Sequence, residues 1–104
     1  MSDACKCAAS YELTLSLLET AHKWIRDPTM QKYILDHIDR VSTGLGLIEK
    51  QCALDVSTIR DTLKTSRNDV VERNWDEAHG HLDETYVRLA LKVADCAGYR
   101  TPHF

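Results

Sequence analysis

Residues 30–52 read MQKYILDHIDRVSTGLGLIEKQC and carry the strongest structural pattern in the chain. Apolar residues recur there every three or four positions, which places them on one side of an α-helix. These residues are Met30, Ile34, Ile38, Val41, Leu45, Ile48 and Cys52. Each glycine of the segment STGLG lowers helix propensity by about 1 kcal/mol relative to alanine, so a break near Gly44 is the alternative. Because the spacing continues through both glycines, we predict one long helix.

The segments on either side of this helix also have helical spacing. Upstream, an apolar stripe of Tyr11, Leu15, Leu18, His22 and Ile25 ends at RDPT, where Asp27 is a candidate N-cap and Pro28 the first helical residue. Downstream, ALDVS and RNWDE mark two further helix starts; Asp55 or Ser57 caps the first, and Asn74 with Glu77 resembles a capping box in the second. The predicted helices are 9–26, 28–54, 56–73 and 75–97, with a leader at 1–8 and a tail at 99–104.

Helices joined by connections of only a few residues pack as antiparallel neighbours. We therefore predict an all-α, up-down-up-down antiparallel four-helix bundle that forms a single domain over residues 1–104. The alternative is fusion of the third and fourth helices, which would give a three-helix subunit that completes its core by dimerising. The predicted core residues are Leu15, Leu18, Ile34, Ile38, Val41, Ile48, Leu63, Leu82, Tyr86, Leu89 and Val93.

Composition narrows the classes of function. The chain has 104 residues, of which 43% are hydrophobic and 28% charged, and a net charge of −3. These fractions are typical of a globular protein. No run of Lys or Arg is present, which argues against nucleic acid or an anionic membrane as the partner. The first residues lack an apolar signal region, so we expect a cytoplasmic protein.

The four cysteines are predicted to lie at one end of the bundle. Cys5 and Cys7 form a CxC pair before the first helix, whereas Cys52 and Cys96 fall in the last turns of the second and fourth helices. In an up-down bundle these positions share one pole. Three interpretations follow: structural thiols, disulfides, or a metal site. Four thiolates would suit zinc, copper or an iron-sulfur cluster, although a lone CxC is a weak motif.

A second candidate metal site combines carboxylates and histidines. The spacing i, i+3 places Glu19 beside His22 in ETAH and Asp76 beside His79 in DEAH, and Asp36 precedes His37 on the second helix. Such pairs on facing helices hold di-iron centres in ferritin-like bundles, and these ligands suit iron, manganese or zinc. The competing interpretation is that each histidine is a hydrogen-bonded residue at the edge of the core.

Three classes of function remain open on the sequence alone. The first is an interaction protein that forms homo-oligomers or docks a partner protein through a helix face, because several large apolar residues lie off the main stripes. These residues are Leu13, Trp24, Leu47, Val87 and Leu91. The second class is a metal-binding protein that uses the cysteines. The third is a small enzyme with a carboxylate-histidine centre, for which no catalytic motif gives support.

Overall fold

The computed structural model describes residues 8–52 and 55–97, with side-chain environments for residues 12–50 and 55–92. Throughout these residues the regular structure is helical and no strand is present, which confirms the all-α prediction. Four α-helices follow one another along the chain. They are α1 (Ala8–Trp24), α2 (Gln31–Cys52), α3 (Ser57–Val71) and α4 (Trp75–Ala97).

The connection from α1 to α2 has the predicted N-cap, but a 3₁₀ turn replaces the first turn of the predicted α-helix. Asp27 is the N-cap: its Oδ1 accepts hydrogen bonds from the backbone N–H and the hydroxyl of Thr29, and Pro28 follows it at the first position. The predicted start of the second helix at residue 28 is wrong in one respect. Residues Pro28–Met30 form a single 3₁₀ turn, and the α-helix begins at Gln31.

Helix α2 runs without interruption through both glycines, which confirms the long helix. Gly44 is the point of closest approach to α1. A Cβ atom built on Gly44 would lie 2.5 Å from Oγ1 of Thr14, whereas one on Gly46 would meet only Nη2 of Arg60, at 3.6 Å. Only glycine at position 44 therefore permits the observed spacing between α1 and α2.

A three-residue turn separates α3 from α4, so the alternative of one fused helix is wrong. The N–H of Asn74 donates to the carbonyl of Asp69, and the N–H of Arg73 donates to the carbonyl of Val70. These two hydrogen bonds form a Schellman motif. Arg73 occupies the position usually taken by glycine and has a φ of 61°. The carbonyl of Asn74 then accepts the first helical hydrogen bond of α4, from Ala78.

Each helix packs against two others, as in a bundle: α1 and α3 both contact α2 and α4. Polar contacts also join helices across their ends. The side chain of Gln31, at the start of α2, donates to the carbonyl of Val70, at the end of α3. Arg60, near the start of α3, forms an ion pair of 3.3 Å with Glu49, near the end of α2.

The interior of the molecule is a continuous apolar cluster drawn from all four helices. Its buried residues are Leu18, Ala21, Ile25, Ile34, Ile38, Val41, Leu45, Ile48, Val56, Ile59, Leu63, Val70, Ala78, Leu82 and Leu89. Two predicted core residues, Leu15 and Tyr86, are only partly buried at its edge. The side chain of Val93 lies outside the described residues. The other predicted core residues are confirmed.

The predicted stripe of α1 is rotated from the observed one. Thr14 and Ala21 are buried, whereas Leu15 and His22, each one residue further along, lie at the edge of the core. At Thr14 the reason is the close approach of α1 to α2 at Gly44, which leaves room only for a small side chain.

Candidate functional site

A cleft lined by ionisable side chains lies between α1 and α4. Glu19 and His22, three residues apart on α1, line it together with Asp83 and Tyr86, three residues apart on α4. Residues at this spacing lie on the same side of a helix. The cleft has a volume of about 210 Å³. It therefore presents two carboxylates, an imidazole and a phenol to one small space.

Two histidine rings pack against each other at the wall of this cleft. The ring centroids of His22 and His79 are 4.1 Å apart, with an angle of 38° between the ring planes. Nε2 of His22 lies 4.0 Å from Oδ1 of Asp83, which is too far for a hydrogen bond. In the described part of the chain, this Nε2 is the one buried side-chain nitrogen or oxygen atom that lacks a hydrogen-bond partner.

The surroundings of His22 favour its neutral form. Burial lowers the pKa of His22, the neighbouring His79 lowers it further, and Asp83 partly opposes this effect while Arg26 adds a small lowering. Burial also raises the pKa of Tyr86, with a contribution from the nearby Glu19. At neutral pH the cleft therefore holds an uncharged imidazole and an uncharged phenol beside two exposed carboxylates.

The structure brings together part of the predicted carboxylate-histidine set. His22 and His79 meet, and Glu19 lines the same cleft. Asp76 instead lies 4.0 Å from Arg26 in an exposed pair. Over residues 12–50 and 55–92, no group of three or more His, Cys, Asp or Glu side chains is arranged to hold a metal ion.

Of the predicted pair on α2, Asp36 and His37, the histidine makes contacts within its own helix. Nδ1 of His37 lies 3.0 Å from the carbonyl of Tyr33, and the two rings pack with centroids 4.2 Å apart. Asp36 is exposed. Asp83 was not among the predicted site residues, although its position four residues after His79 places both on one face of α4.

A polar contact between His81 and Asp69, which joins α3 to α4, was not predicted either. Nδ1 of His81 lies 2.5 Å from Oδ2 of Asp69, whose side chain is largely buried. No apolar stripe contains either residue, so helical periodicity gave no reason to pair them.

The predicted cysteine site falls outside the described residues. Cys5 and Cys7 precede residue 8. Cys52 is the last residue of α2 and Cys96 lies in the last turn of α4, as predicted, but their side chains are also outside the described set. The cysteine metal site and its disulfide alternative stay predictions.

A second candidate site is an apolar surface on the outer side of the α1–α2 pair. Leu13 is 64% exposed and Leu47 46% exposed, and Trp24 and Tyr33 are also exposed. We call these four residues the α1–α2 face. Leu13 and Trp24 are eleven residues apart and share one side of α1; Tyr33 and Leu47 are fourteen apart and share one side of α2.

The position of this surface follows from the contact between Thr14 and Gly44. Leu13 precedes Thr14, and Leu47 lies about one helical turn beyond Gly44. The off-stripe residues named from the sequence thus include three that are exposed on one surface. Leu91 is exposed elsewhere, on α4, and Val87 is partly buried.

No helix in residues 8–52 and 55–97 is both long enough and apolar enough to cross a membrane. Comparisons with protein-family models, with curated proteins and with solved structures give no match for this chain.

Proposed function

We propose that this chain is an up-down-up-down helical bundle in the cytoplasm that acts by binding protein through the α1–α2 face. The topology is supported by contacts that pair opposite ends of neighbouring helices. Gln31 with Val70 and Glu49 with Arg60 join α2 to α3 in this sense. Between α1 and α4, Arg26 faces Asp76 while His22, one turn earlier, faces Asp83, further along α4.

The observation that carries the proposed function is the exposure of four large apolar residues, Leu13, Trp24, Tyr33 and Leu47. Helical spacing and the contact of Thr14 with Gly44 place them on the outer side of the α1–α2 pair. Single exposed apolar residues are common on proteins, but several large ones on one surface typically mark an interaction site. Aromatic residues are enriched at such sites because they bury a large area with few rotatable bonds. Protein is therefore a better match for this surface than nucleic acid or a lipid bilayer.

Site-specific photo-crosslinking in the producing cell tests this function. A photoreactive phenylalanine analogue at position 47 should give a defined adduct. The same analogue at position 91 is the control, because Leu91 is also exposed but lies on α4. Equal crosslinking at the two positions, or none at position 47, would contradict binding through the α1–α2 face.

Metal binding is the second candidate function, favoured by the unpartnered Nε2 of His22 and the nearby carboxylate of Asp83. An ion here would be held by these two groups with water completing its coordination, and the cysteines offer a separate site. Elemental analysis of protein purified under reducing conditions distinguishes them. Loss of metal in His22→Gln identifies the cleft, and loss in Cys52→Ser identifies the cysteines. Metal-free wild-type protein rules out both.

A further inference from the structure

The α1–α2 face has apolar residues at both ends and two opposite charges between them, and this order indicates the kind of partner that it fits. We infer that the partner is a second copy of this chain, docked about a two-fold axis that passes beside residues 38–40 of α2. This inference rests on the proposed function, since it names the occupant of the same surface. In such a dimer, the same patch on both subunits is buried, and each residue pair occurs twice.

The apolar residues of the face lie at its two ends. Leu13 and Leu47 mark one end, next to the contact between Thr14 and Gly44. Trp24 and Tyr33 mark the other end, on either side of the connection between α1 and α2. Tyr33 and Leu47 are fourteen residues apart, a distance of about 21 Å along the helix. A two-fold axis between the ends places the leucines of one copy against the aromatic rings of the other.

The middle of the face carries one charge of each sign. Asp36 and Arg40 are both exposed and lie four residues apart on α2, between Tyr33 and Leu47. Neither forms an ion pair within the described residues, whereas the three arginines on α3 and α4 all do, as Arg67 does with Asp39. A partner that presents charges in the reverse order would pair both of them.

A second copy supplies that reverse order. When two α2 helices cross in antiparallel directions about an axis between Ile38 and Arg40, Asp36 of each copy lies about 3 Å along the helix from Arg40 of the other, and Tyr33 lies equally close to Leu47. The dimer then contains two equivalent ion pairs at its centre and two apolar contacts at its ends. An unrelated protein or a lipid surface would match the apolar ends, but neither is required by this charge order.

The oligomeric state of the full chain tests the inference. Under reducing conditions, sedimentation or light scattering should give twice the 11.8 kDa of one chain in the micromolar range. Leu47→Glu should leave a monomer. Val71→Glu is the matched control, because Val71 is 46% exposed, as Leu47 is, but lies on α3. It should leave the dimer intact; a monomeric control would show that any added charge disrupts the assembly and would overturn the inference.

Charge reversal tests the central ion pairs separately from the apolar ends. Asp36→Arg gives two positive charges per face and Arg40→Asp gives two negative ones, so each variant alone should dimerise about tenfold more weakly than wild type. Mixed together, the two variants should form a heterodimer, detected by native mass spectrometry. Failure to form it, with both variants folded by circular dichroism, would overturn the proposed arrangement.

Failure of this inference can be distinguished from failure of the proposed function. A wild-type chain that stays monomeric at several hundred micromolar overturns the second copy as partner. If the crosslink at position 47 then yields an adduct whose mass differs from two chains, the face still binds protein. If it yields no adduct, both proposals are wrong.

Discussion

Gly44 of α2 and Thr14 of α1 are in contact so close that glycine is the only residue that fits without movement. A Cβ at position 44 would lie 2.5 Å from Oγ1 of Thr14 and 3.5 Å from its Cβ and Cγ2. Threonine is branched at Cβ, so its buried side chain has few rotamers with which to make room. The two helices pack at a distance set by this pair.

Gly44→Ala should destabilise the protein although alanine is the better helix former. The substitution gains about 1 kcal/mol of helix propensity. It also forces the side chain of Thr14 or the whole of α1 to move, and overpacking of this kind costs about 1–3 kcal/mol. Urea denaturation should therefore show a lower free energy of unfolding than for wild type.

Gly80→Ala is the matched control for that experiment. Gly80 lies within α4, and a Cβ there would meet nothing within 4 Å. It should raise the free energy of unfolding by about 0.5–1 kcal/mol. In a double-mutant cycle, Thr14→Ala should reduce the effect of Gly44→Ala. Independent, additive effects would show that the two residues do not limit the helix spacing.

The stability of the protein should fall as the pH falls below about 6.5, the ordinary pKa of histidine, because of His22. Since burial and His79 lower the pKa of His22 in the folded state, the unfolded chain takes up a proton first. The contribution of neutral His22 is therefore complete above 6.5 and is lost progressively as the pH falls to the folded-state pKa. Free energies of unfolding across this range measure the effect.

Two variants assign that pH dependence to the histidine pair. His22→Gln should flatten the slope between neutral pH and pH 5, because the group that titrates is gone. His79→Gln should flatten it only in part, because burial is the larger cause of the lowered pKa of His22. An unchanged slope in His22→Gln would mean that other groups account for the loss of stability.

Arg73 offers a site for stabilisation in the turn between α3 and α4. Its φ of 61° lies in the left-handed region, which costs a residue with a Cβ about 1 kcal/mol or more and costs glycine nothing. Arg73→Gly should raise the melting temperature, and Arg73→Val should lower it. Arg73→Lys serves as the control, because it keeps the backbone cost and removes only the hydrogen bond from Nη2 to Gln31. A melting temperature for the glycine variant below that of the lysine variant would contradict this.

Leu89 tests the assignment of the inner side of α4. Its side chain is fully buried, so Leu89→Ala should lower the free energy of unfolding by about 2–5 kcal/mol. Leu91→Ala, two residues along and exposed, should change it by less than about 0.5 kcal/mol. Similar losses from both variants in chemical denaturation would mean that α4 is rotated from its position here.

The helices that the sequence predicted best are those whose buried side chains are large. On α2, residues such as Ile34, Ile38 and Leu45 are apolar at regular intervals and are fully buried. On α1 the helix itself was predicted, but Thr14 and Ala21 are buried in place of Leu15 and His22. Small side chains such as Thr14 and Ala21 contribute little to an apolar pattern. Periodicity therefore predicted that the larger neighbouring residues were buried.

The candidate cleft was predictable in its histidines but not in its geometry. The patterns ETAH and DEAH pointed to His22 and His79, which do meet. Asp83 and Tyr86 were not predicted to line the cleft, because their position there depends on how α4 is rotated against α1. The absence of a partner for Nε2 of His22 arises only when the helices pack, so no local sequence pattern encodes it.

Asp69, near the end of α3, contacts two residues on the far side of the turn between α3 and α4. Its carbonyl accepts the N–H of Asn74, and its carboxylate binds Nδ1 of His81, twelve residues further along. Contacts between residues so close in sequence require little loop closure and form early in folding. We therefore expect the α3–α4 hairpin to nucleate folding, so that Asp69→Ala slows refolding more than it speeds unfolding, while the pairing of α1 with α2 forms later.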